Sequence, residues 1–199
     1  DEQPLIIKAG FSGEISELVS DRGVIVETSG SLIQGVWGNG QINSGPLVNL
    51  TAAPDSELTS ELLNISQRGA VILAGCCQDG SALDKASKLP VRGLILGSLK
   101  TSLKKQAEEL PFPLNVLEGF GHFAINHLAF KLLTSQEQRE VCLNAEGADR
   151  FKGSRPEIVI PLPASEMVQQ PNPAGYFSVQ QKVRVLNYQH ARSIGVITM

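Results

Sequence analysis

Apolar and polar positions follow different periods in three parts of the chain. Over residues 1–50, short β-prone runs alternate with turn residues, as in "GVIVETSGSLIQGVWGNG", and this part holds eight of the nineteen glycines. A period of two broken by glycines predicts several short antiparallel strands joined by tight turns. The run "SDRG" at 20–23 is a hairpin candidate, because Gly23 can adopt a positive φ.

After residue 51 the apolar residues recur at the spacing of a helix. "APDSELTSELLNISQ" has leucines at helical spacing behind an N-cap candidate, Asp55, and predicts an amphipathic helix that ends near Gly69. Three more helices are predicted in "SALDKASKL", "SLKKQAEEL" and "INHLAFKLLTSQ". Between the helices lie apolar runs typical of strands buried on both faces: "AVILAG", "RGLILGS", "LNVLEG" and "EVCLNA". This alternation predicts βαβ units and a mainly parallel sheet of about four strands covered by helices.

A β-like pattern returns after Gly147. "RPEIVIPLPAS" predicts a short strand bounded by prolines, and "QKVRVLNYQHARSIGVITM" alternates as barrel strands do. The predicted fold class is therefore α/β, with glycine-rich β-sandwich or barrel-like segments at both ends of a central, mainly parallel sheet. The predicted domains are a glycine-rich β segment at 1–50, an α/β domain at 51–146 and a β-rich segment at 147–199 that forms an incomplete SH3-like barrel.

Composition and charge narrow the classes of partner. With 42% hydrophobic and 19% charged residues, the sequence is typical of a soluble globular protein. Its net charge of -3 gives no general attraction to nucleic acid or to an anionic membrane. No apolar run is long enough to span a bilayer. The N-terminus lacks the charged, apolar and small-residue regions that follow one another in a signal peptide. We therefore expect a cytoplasmic protein with no membrane partner.

Three cysteines, two of them adjacent, do not make a disulfide framework. We therefore expect reduced thiols. The sequence starts at Asp1 rather than at a methionine and stops just after a predicted strand, which predicts a portion of a longer protein.

Four runs, "ETSGSLIQGVWGNG", "VRGLILGS", "LEGFGHFAINHLAFKLL" and "RPEIVIPLP", resemble in this order an uncharacterised family of prokaryotic proteins, and the resemblance covers most of the chain. It implies no activity. Separately, "VRVLNYQHARSIGVI" resembles a KOW-type element of the SH3-like barrels in some ribosomal and transcription proteins, with Gly195 at the position of the characteristic glycine. The glycine-rich start is similar to a lipoyl-type domain, but its "SDRG" turn lacks the lysine that would carry the prosthetic group.

The most chemistry-like motif is "LEGFGHFA", where Gly119, Gly121 and Ala124 have the G-x-G-x-x-A spacing of a dinucleotide-binding turn. Three features oppose that function. Glu118 would repel a pyrophosphate, the motif follows the third strand rather than the first, and no acidic residue ends a strand about twenty residues further on. We therefore predict that the two glycines shape a tight turn and that the protein has no cofactor.

The same turn belongs to a predicted cleft, because ligands of open parallel sheets bind beyond the carboxyl ends of the strands. Side chains after three strands could converge there. The candidate ligand-binding residues are Cys77, Asp79, Ser98, Lys100, Glu118, Gly119, Gly121 and His122.

Two other kinds of site, a catalytic thiol and a metal site, could involve these residues and their neighbours. A thiol near a histidine and a carboxylate is the arrangement of covalent acyl transfer, but cysteines at strand ends are more often buried hydrophobes, so Cys76 and Cys77 are predicted to be structural. His122 and His127 are five residues apart and cannot bind one ion from one helical face. No metal site is predicted.

Three functions therefore stay open. The preferred one is a non-catalytic binding or scaffold protein whose strand-end cleft takes a small polar ligand or a protein segment. The first alternative is an enzyme that uses a cysteine or Glu118 in that cleft. The second, not favoured, is nucleic-acid binding through the KOW-like end, where basic side chains surround Tyr188: Lys182, Arg184, His190 and Arg192.

Overall fold

The structure is a computed structural model, and it describes residues 9–149, 151, 153–162, 177–184 and 194–198. The chain divides into two compact units, Asp1–Glu166 and Met167–Met199. The first unit has a mixed α/β fold built on one large mixed sheet and a separate two-stranded hairpin. Within the described ranges, no helix has the length and apolar character needed to cross a membrane.

The first unit contains ten described strands and three described α-helices. The strands are β1 (Glu14–Val19), β2 (Gly23–Glu27), β3 (Gly30–Gln34), β4 (Trp37–Gly38), β5 (Ile42–Asn49), β6 (Val71–Cys77), β7 (Gly93–Leu99), β8 (Leu114–Phe120), β9 (Glu140–Asn144) and β10 (Glu157–Pro161). The helices are α1 (Gly80–Lys88), α2 (Lys104–Glu108) and α3 (His127–Thr134).

The large sheet has the order β3-β10-β9-β5-β6-β7-β8-β4. Strands β5 to β8 are parallel to one another, and the pairings on either side of them are antiparallel. The predicted segments 1–50, 51–146 and 147–199 all contribute to it, because β3 to β5 come from the first, β6 to β9 from the second and β10 from the third.

The two ends of this strand order meet. Only Gly35 and Val36 separate β3 from β4, and the amide of Gly35 donates to Pro156 O (2.7 Å) while that of Val36 donates to Val116 O (2.8 Å). The buried side chain of Asn115 on β8 also donates to Glu157 O on β10 (3.1 Å). The sheet is therefore closed, with residues 30–38 joining its two edges.

Because the sheet is closed, its buried apolar side chains form two separate clusters, one inside the sheet and one outside it. On β6, Val71 and Leu73 belong to an interior cluster, and Ile72 and Ala74 belong to an outer cluster, as alternation along a strand requires. The outer cluster lies between β6–β8 and the helices α1 and α2. The interior cluster contains side chains from seven strands, from Leu133 of α3 and from Ile125 just before α3. Its members are Ile33, Leu47, Val71, Leu73, Ile95, Leu117, Ile125, Leu133, Val141, Leu143, Ile158 and Ile160.

The helices begin where side chains cap them. The Asp79 carboxylate accepts from the amide of Ser81 (3.1 Å) at the start of α1, and the Asn126 side chain accepts from Leu128 N (3.0 Å) at the start of α3. Leu133 of α3 is buried in the interior cluster. Since α3 connects the carboxyl end of β8 to the start of β9, it covers that end of the closed sheet.

The helix predicted from "APDSELTSELLNISQ" is wrong. This segment contains two one-turn 3-10 helices, Ser60–Leu62 and Ile65–Gln67, and no helix starts at Asp55. Its first part pairs instead with the end of β6, where Leu58 N donates to Cys76 O (2.7 Å). Pairing with the sheet buries Leu58 and satisfies backbone groups that a helix would otherwise use, so tertiary contacts override the helical spacing.

The predicted direction of the fourth strand, "EVCLNA", is also wrong. The parallel group does contain four strands, but its fourth member is β5, and β9, from "EVCLNA", pairs antiparallel with β5. The reason is that β4 already occupies the free side of β8. The chain that leaves α3 therefore pairs on the far side of β5.

In the second unit, β11 (Lys182–Arg184) pairs antiparallel with β12 (Ile194–Val196), with Val183 opposite Gly195. Residues 185–193 lie outside the described part of the chain, and with them Tyr188, His190 and Arg192 of the nucleic-acid hypothesis. The SH3-like barrel and the KOW resemblance stay predictions.

Replacing Gly38 with alanine tests the closure. A Cβ at this position would overlap the backbone of Ala145, whereas Gly147 has open space around it. We expect Gly38→Ala to lower the free energy of unfolding by about 1–3 kcal/mol, as overpacking does, and Gly147→Ala to change it little. Urea unfolding measures both, and equal stability of the two variants would contradict a closed seam at Gly38.

Candidate functional site

The loops that follow β6, β7 and β8 meet at the carboxyl ends of the parallel strands. Gln78 Nε2 donates to Gly121 O (2.8 Å). The Ser98 hydroxyl accepts from Phe123 N (2.9 Å) and donates to Phe123 O (3.0 Å). In the strand register Ser98 lies between Cys76 and Gly119. The structure thus brings the ends of β6, β7 and β8 together, and the polar groups of Gln78 and Ser98 bind the backbone of the chain itself.

Glu118 holds the start of α3. Its side chain is buried, with 8% of its surface exposed, and Oε1 accepts from Asn126 N (2.8 Å), the residue that caps α3. The sequence analysis missed this role, because the contact joins residues on either side of a turn. A carboxylate bound to a helix-terminal amide is stabilised by charge and by the hydrogen bond together.

The glycines of "GFGH" have the conformational role that was predicted for them. Gly119 and Gly121 both have φ of 128°, where side chains are strained, and a Cβ on Gly121 would lie 2.7 Å from the Phe123 ring. Gly121 N donates to Leu99 O (2.9 Å), so this amide is already used. A phosphate bound at this turn would be repelled by the Glu118 carboxylate. It would also gain little from the N-terminus of α3, because that helix begins only at His127.

The two adjacent thiols are buried. Cys76 Sγ donates to Asp55 O (3.2 Å) and Cys77 Sγ to Asp79 O (3.5 Å). Burial raises the pKa of Cys77 to about 12, and it also raises the pKa of Cys76, with Glu57 and Asp55 adding to the effect on Cys76. Both are therefore protonated at neutral pH, and a protonated thiol is a poor nucleophile.

The remaining predicted side chains are exposed. The Asp79 carboxylate bonds the hydroxyl and the amide of Ser81, and these bonds, with Lys100 nearby, lower the pKa of Asp79. Lys100 and His122 are exposed on the loops that follow β7 and β8. Ligand binding by any of the eight residues stays a prediction.

The opening between these loops is filled by the chain. Gly97 on β7 leaves room for Ile125, because a Cβ at residue 97 would lie 2.6 Å from the Ile125 side chain. Ile125 N donates in turn to Pro54 O (2.8 Å). Loop 121–126 is therefore packed between β7 and the 53–58 segment.

A different surface carries exposed apolar side chains, and it lies on the hairpin of β1 and β2. The hairpin predicted at "SDRG" is present, although Ser20 (φ 42°) rather than Gly23 takes the left-handed conformation. Ile15 pairs with Val26 and Leu18 with Val24, so these four side chains share one face. We call Ile15, Leu18, Val24 and Val26 the aliphatic face.

The aliphatic face is accessible and carries no charge. Ile15, Leu18 and Val24 are 63%, 71% and 50% exposed. The opposite face contains Glu14, Glu17, Val19, Ile25 and Glu27, since Glu17 pairs with Ile25, Glu14 with Glu27 and Val19 with Gly23. We call this the acidic face. All three glutamates of the hairpin strands therefore point away from the aliphatic face.

The aliphatic face continues into a groove at the base of the hairpin. The groove has a volume of about 440 Å³ and a mixed lining, in which the apolar side chains are Phe11, Val26, Leu32 and Val159 and the polar ones are Glu27, Thr28, Ser31 and Glu157. Leu32 is 55% exposed on the outer side of β3. The helices α1 and α2 pack on β6–β8, so within the described residues they leave this antiparallel half of the sheet uncovered. Sequence reasoning missed the surface, because alternation predicts strands and not what covers them.

Comparison with known proteins gives distant likenesses only. No protein-family model matches the sequence, and no curated protein matches it significantly. The RNA-processing inhibitor RraA from Thermus thermophilis is 15% identical, with a TM-score of 0.46 over 69% of this chain and 88% of that one. The S-adenosylmethionine:2-dimethylmenaquinone methyltransferase from Geobacillus kaustophilus is 12% identical, with a TM-score of 0.41 over 69% and 92%. At such scores neither likeness assigns a function to this chain.

Two substitutions at Glu118 test its contact with α3. Glu118→Ala leaves the Asn126 amide without its acceptor, and we expect a loss of about 1–3 kcal/mol in the free energy of unfolding. Glu118→Gln keeps an oxygen acceptor and should lose about half as much or less. Thermal and urea unfolding measure both variants. An alanine variant as stable as the parent would contradict a structural role for this carboxylate.

Proposed function

We propose that this protein is a non-catalytic binding protein that uses the aliphatic face and the adjoining groove to hold a segment of polypeptide. The observation that carries the proposal is the exposure of Ile15, Leu18 and Val24 on one face of a hairpin, next to a groove that is lined in part by apolar side chains. Contiguous exposed apolar surface on a folded protein marks an interaction site more often than not.

The state of the candidate catalytic groups supports a function without catalysis. Cys76 and Cys77 are buried and protonated, and the Glu118 carboxylate bonds the Asn126 amide. An enzyme that used a cysteine or Glu118 would need these groups accessible to a substrate. The contacts that these three groups make are contacts within the fold, not contacts available to a substrate.

The geometry of the hairpin favours a polypeptide over a small polar ligand. In the described part of the chain, β1 and β2 pair only with each other, so each has an outer edge with no strand beside it. A strand edge next to a partly apolar groove suits an extended segment, which can pair its backbone along the edge and place alternate side chains in the groove.

Selection from a random dodecapeptide library tests this function. We expect the protein to enrich apolar peptides and Leu18→Lys to weaken their binding at least about tenfold, because it places a charge in an apolar contact. Ile25→Lys, on the acidic face, should leave binding nearly unchanged. Fluorescence anisotropy with the selected peptides measures the affinities. No enrichment, or equal weakening by both substitutions, would refute the proposal.

A further inference from the structure

Asn39 and Gly40 form the one Asn-Gly pair of the sequence, and they directly follow β4, where the sheet closes. An asparagine that precedes glycine is prone to deamidation, because the glycine backbone is free to bring its nitrogen to the side-chain carbonyl carbon. We propose that Asn39 is a deamidation site that the closed sheet protects, and that a deamidated chain cannot close the sheet again.

The Asn39 side chain uses both of its N–H donors and its oxygen within the fold. Nδ2 donates to Phe112 O (2.9 Å) and to Ala107 O (3.3 Å), and Oδ1 accepts from Leu114 N (3.0 Å). Asn39 thereby joins the end of β4 to the start of β8 and to the turn before it. An aspartate offers no donor at neutral pH, so the position requires the amide.

Gly40 is required at the same place. Its φ is 85°, a conformation in which a side chain is strained, and its amide donates to Ala145 O (2.7 Å). The closure therefore needs both residues of the reactive pair, and it also restrains them. The Gly40 nitrogen that would attack Asn39 is held by Ala145, and the Asn39 side chain is fixed by its three hydrogen bonds.

The reaction balances with water as its co-reactant. Gly40 N forms a bond to Asn39 Cγ, the C–N bond of the side-chain amide breaks, and ammonia leaves with the proton of Gly40 N. Water then opens the cyclic imide to aspartate or isoaspartate. Aspartate places a carboxylate opposite the carbonyl oxygens of Ala107 and Phe112, which repel it, and isoaspartate also adds a carbon to the backbone. A chain that opens for long enough to react therefore stays open.

Mass spectrometry after incubation at mildly alkaline pH tests the protection. The unmodified chain is kept in buffer and in urea above its unfolding transition, and fragmentation locates each conversion of asparagine to aspartate or isoaspartate. We expect Asn39 to convert at least about tenfold more slowly in buffer, because the reaction requires opening of the sheet. Asn43, which is exposed before Ser44, is the internal control and should differ less between the two conditions.

Two results of this incubation would overturn the proposal. Conversion of Asn39 at equal rates in buffer and in urea would refute protection by the closed sheet. Absence of conversion at Asn39 in urea would refute the site itself.

Two variants test whether the product can close the sheet. Asn39→Asp carries the product of the reaction, and Asn43→Asp makes the same change of charge at an exposed position. We expect the Val36 amide to exchange at least about tenfold faster in Asn39→Asp, because two hydrogen bonds are lost, and to be unchanged in Asn43→Asp. Loss of the folded circular dichroism signal in Asn39→Asp alone would support the same conclusion. Exchange at Val36 as slow in Asn39→Asp as in the unmodified chain would overturn it.

Discussion

The fold depends on the short stretch of chain that joins the two edges of the sheet. Residues 30–38 pair first with β10 and then with β8, and Gly35 and Val36 make the transition through hydrogen bonds to Pro156 and Val116. Side chains would not fit at two of these positions, since a Cβ on Gly35 would lie 2.8 Å from Val116 O and one on Gly38 would overlap Ala145. Close backbone approach therefore requires glycine.

Closure also decides which residues are free to bind anything. It encloses the interior cluster, whose end is covered by α3 and Ile125, and fixing that cover uses Ser98 and Glu118. Ser98 and Glu118 are thereby engaged in contacts that hold the fold. With α1 and α2 on the parallel half, the exposed apolar side chains of the described residues include Leu32 on the antiparallel half and Ile15, Leu18 and Val24 on the separate hairpin. The position of the proposed binding surface follows from this asymmetry.

Local patterns predicted the elements that depend on local forces. The continuous apolar runs correctly predicted β6, β7 and β8, and α1 (Gly80–Lys88) overlaps the helix predicted from "SALDKASKL". The segment from Asp55 to Gln67 was mistaken for a helix because its leucines have helical spacing. Its Ser56 and Leu58 hydrogen-bond to Cys76 of β6, and the rest forms two short 3-10 turns. No local pattern could reveal closure, which joins residue 36 to residue 116, or the hydrogen bond from Asn126 to Glu118 across a turn with two left-handed glycines.

Amide hydrogen exchange resolved by NMR tests the central claim, that residues 30–38 close the sheet while the β1–β2 hairpin stands outside it. In dilute solution, the amides of Val36 and Trp37 should exchange as slowly as those of β7, because they belong to the same cooperative unit. The amides of Leu18 and Val24 should exchange far faster, because their strands lack cover. Exchange at Val36 as fast as at Leu18 would contradict the account.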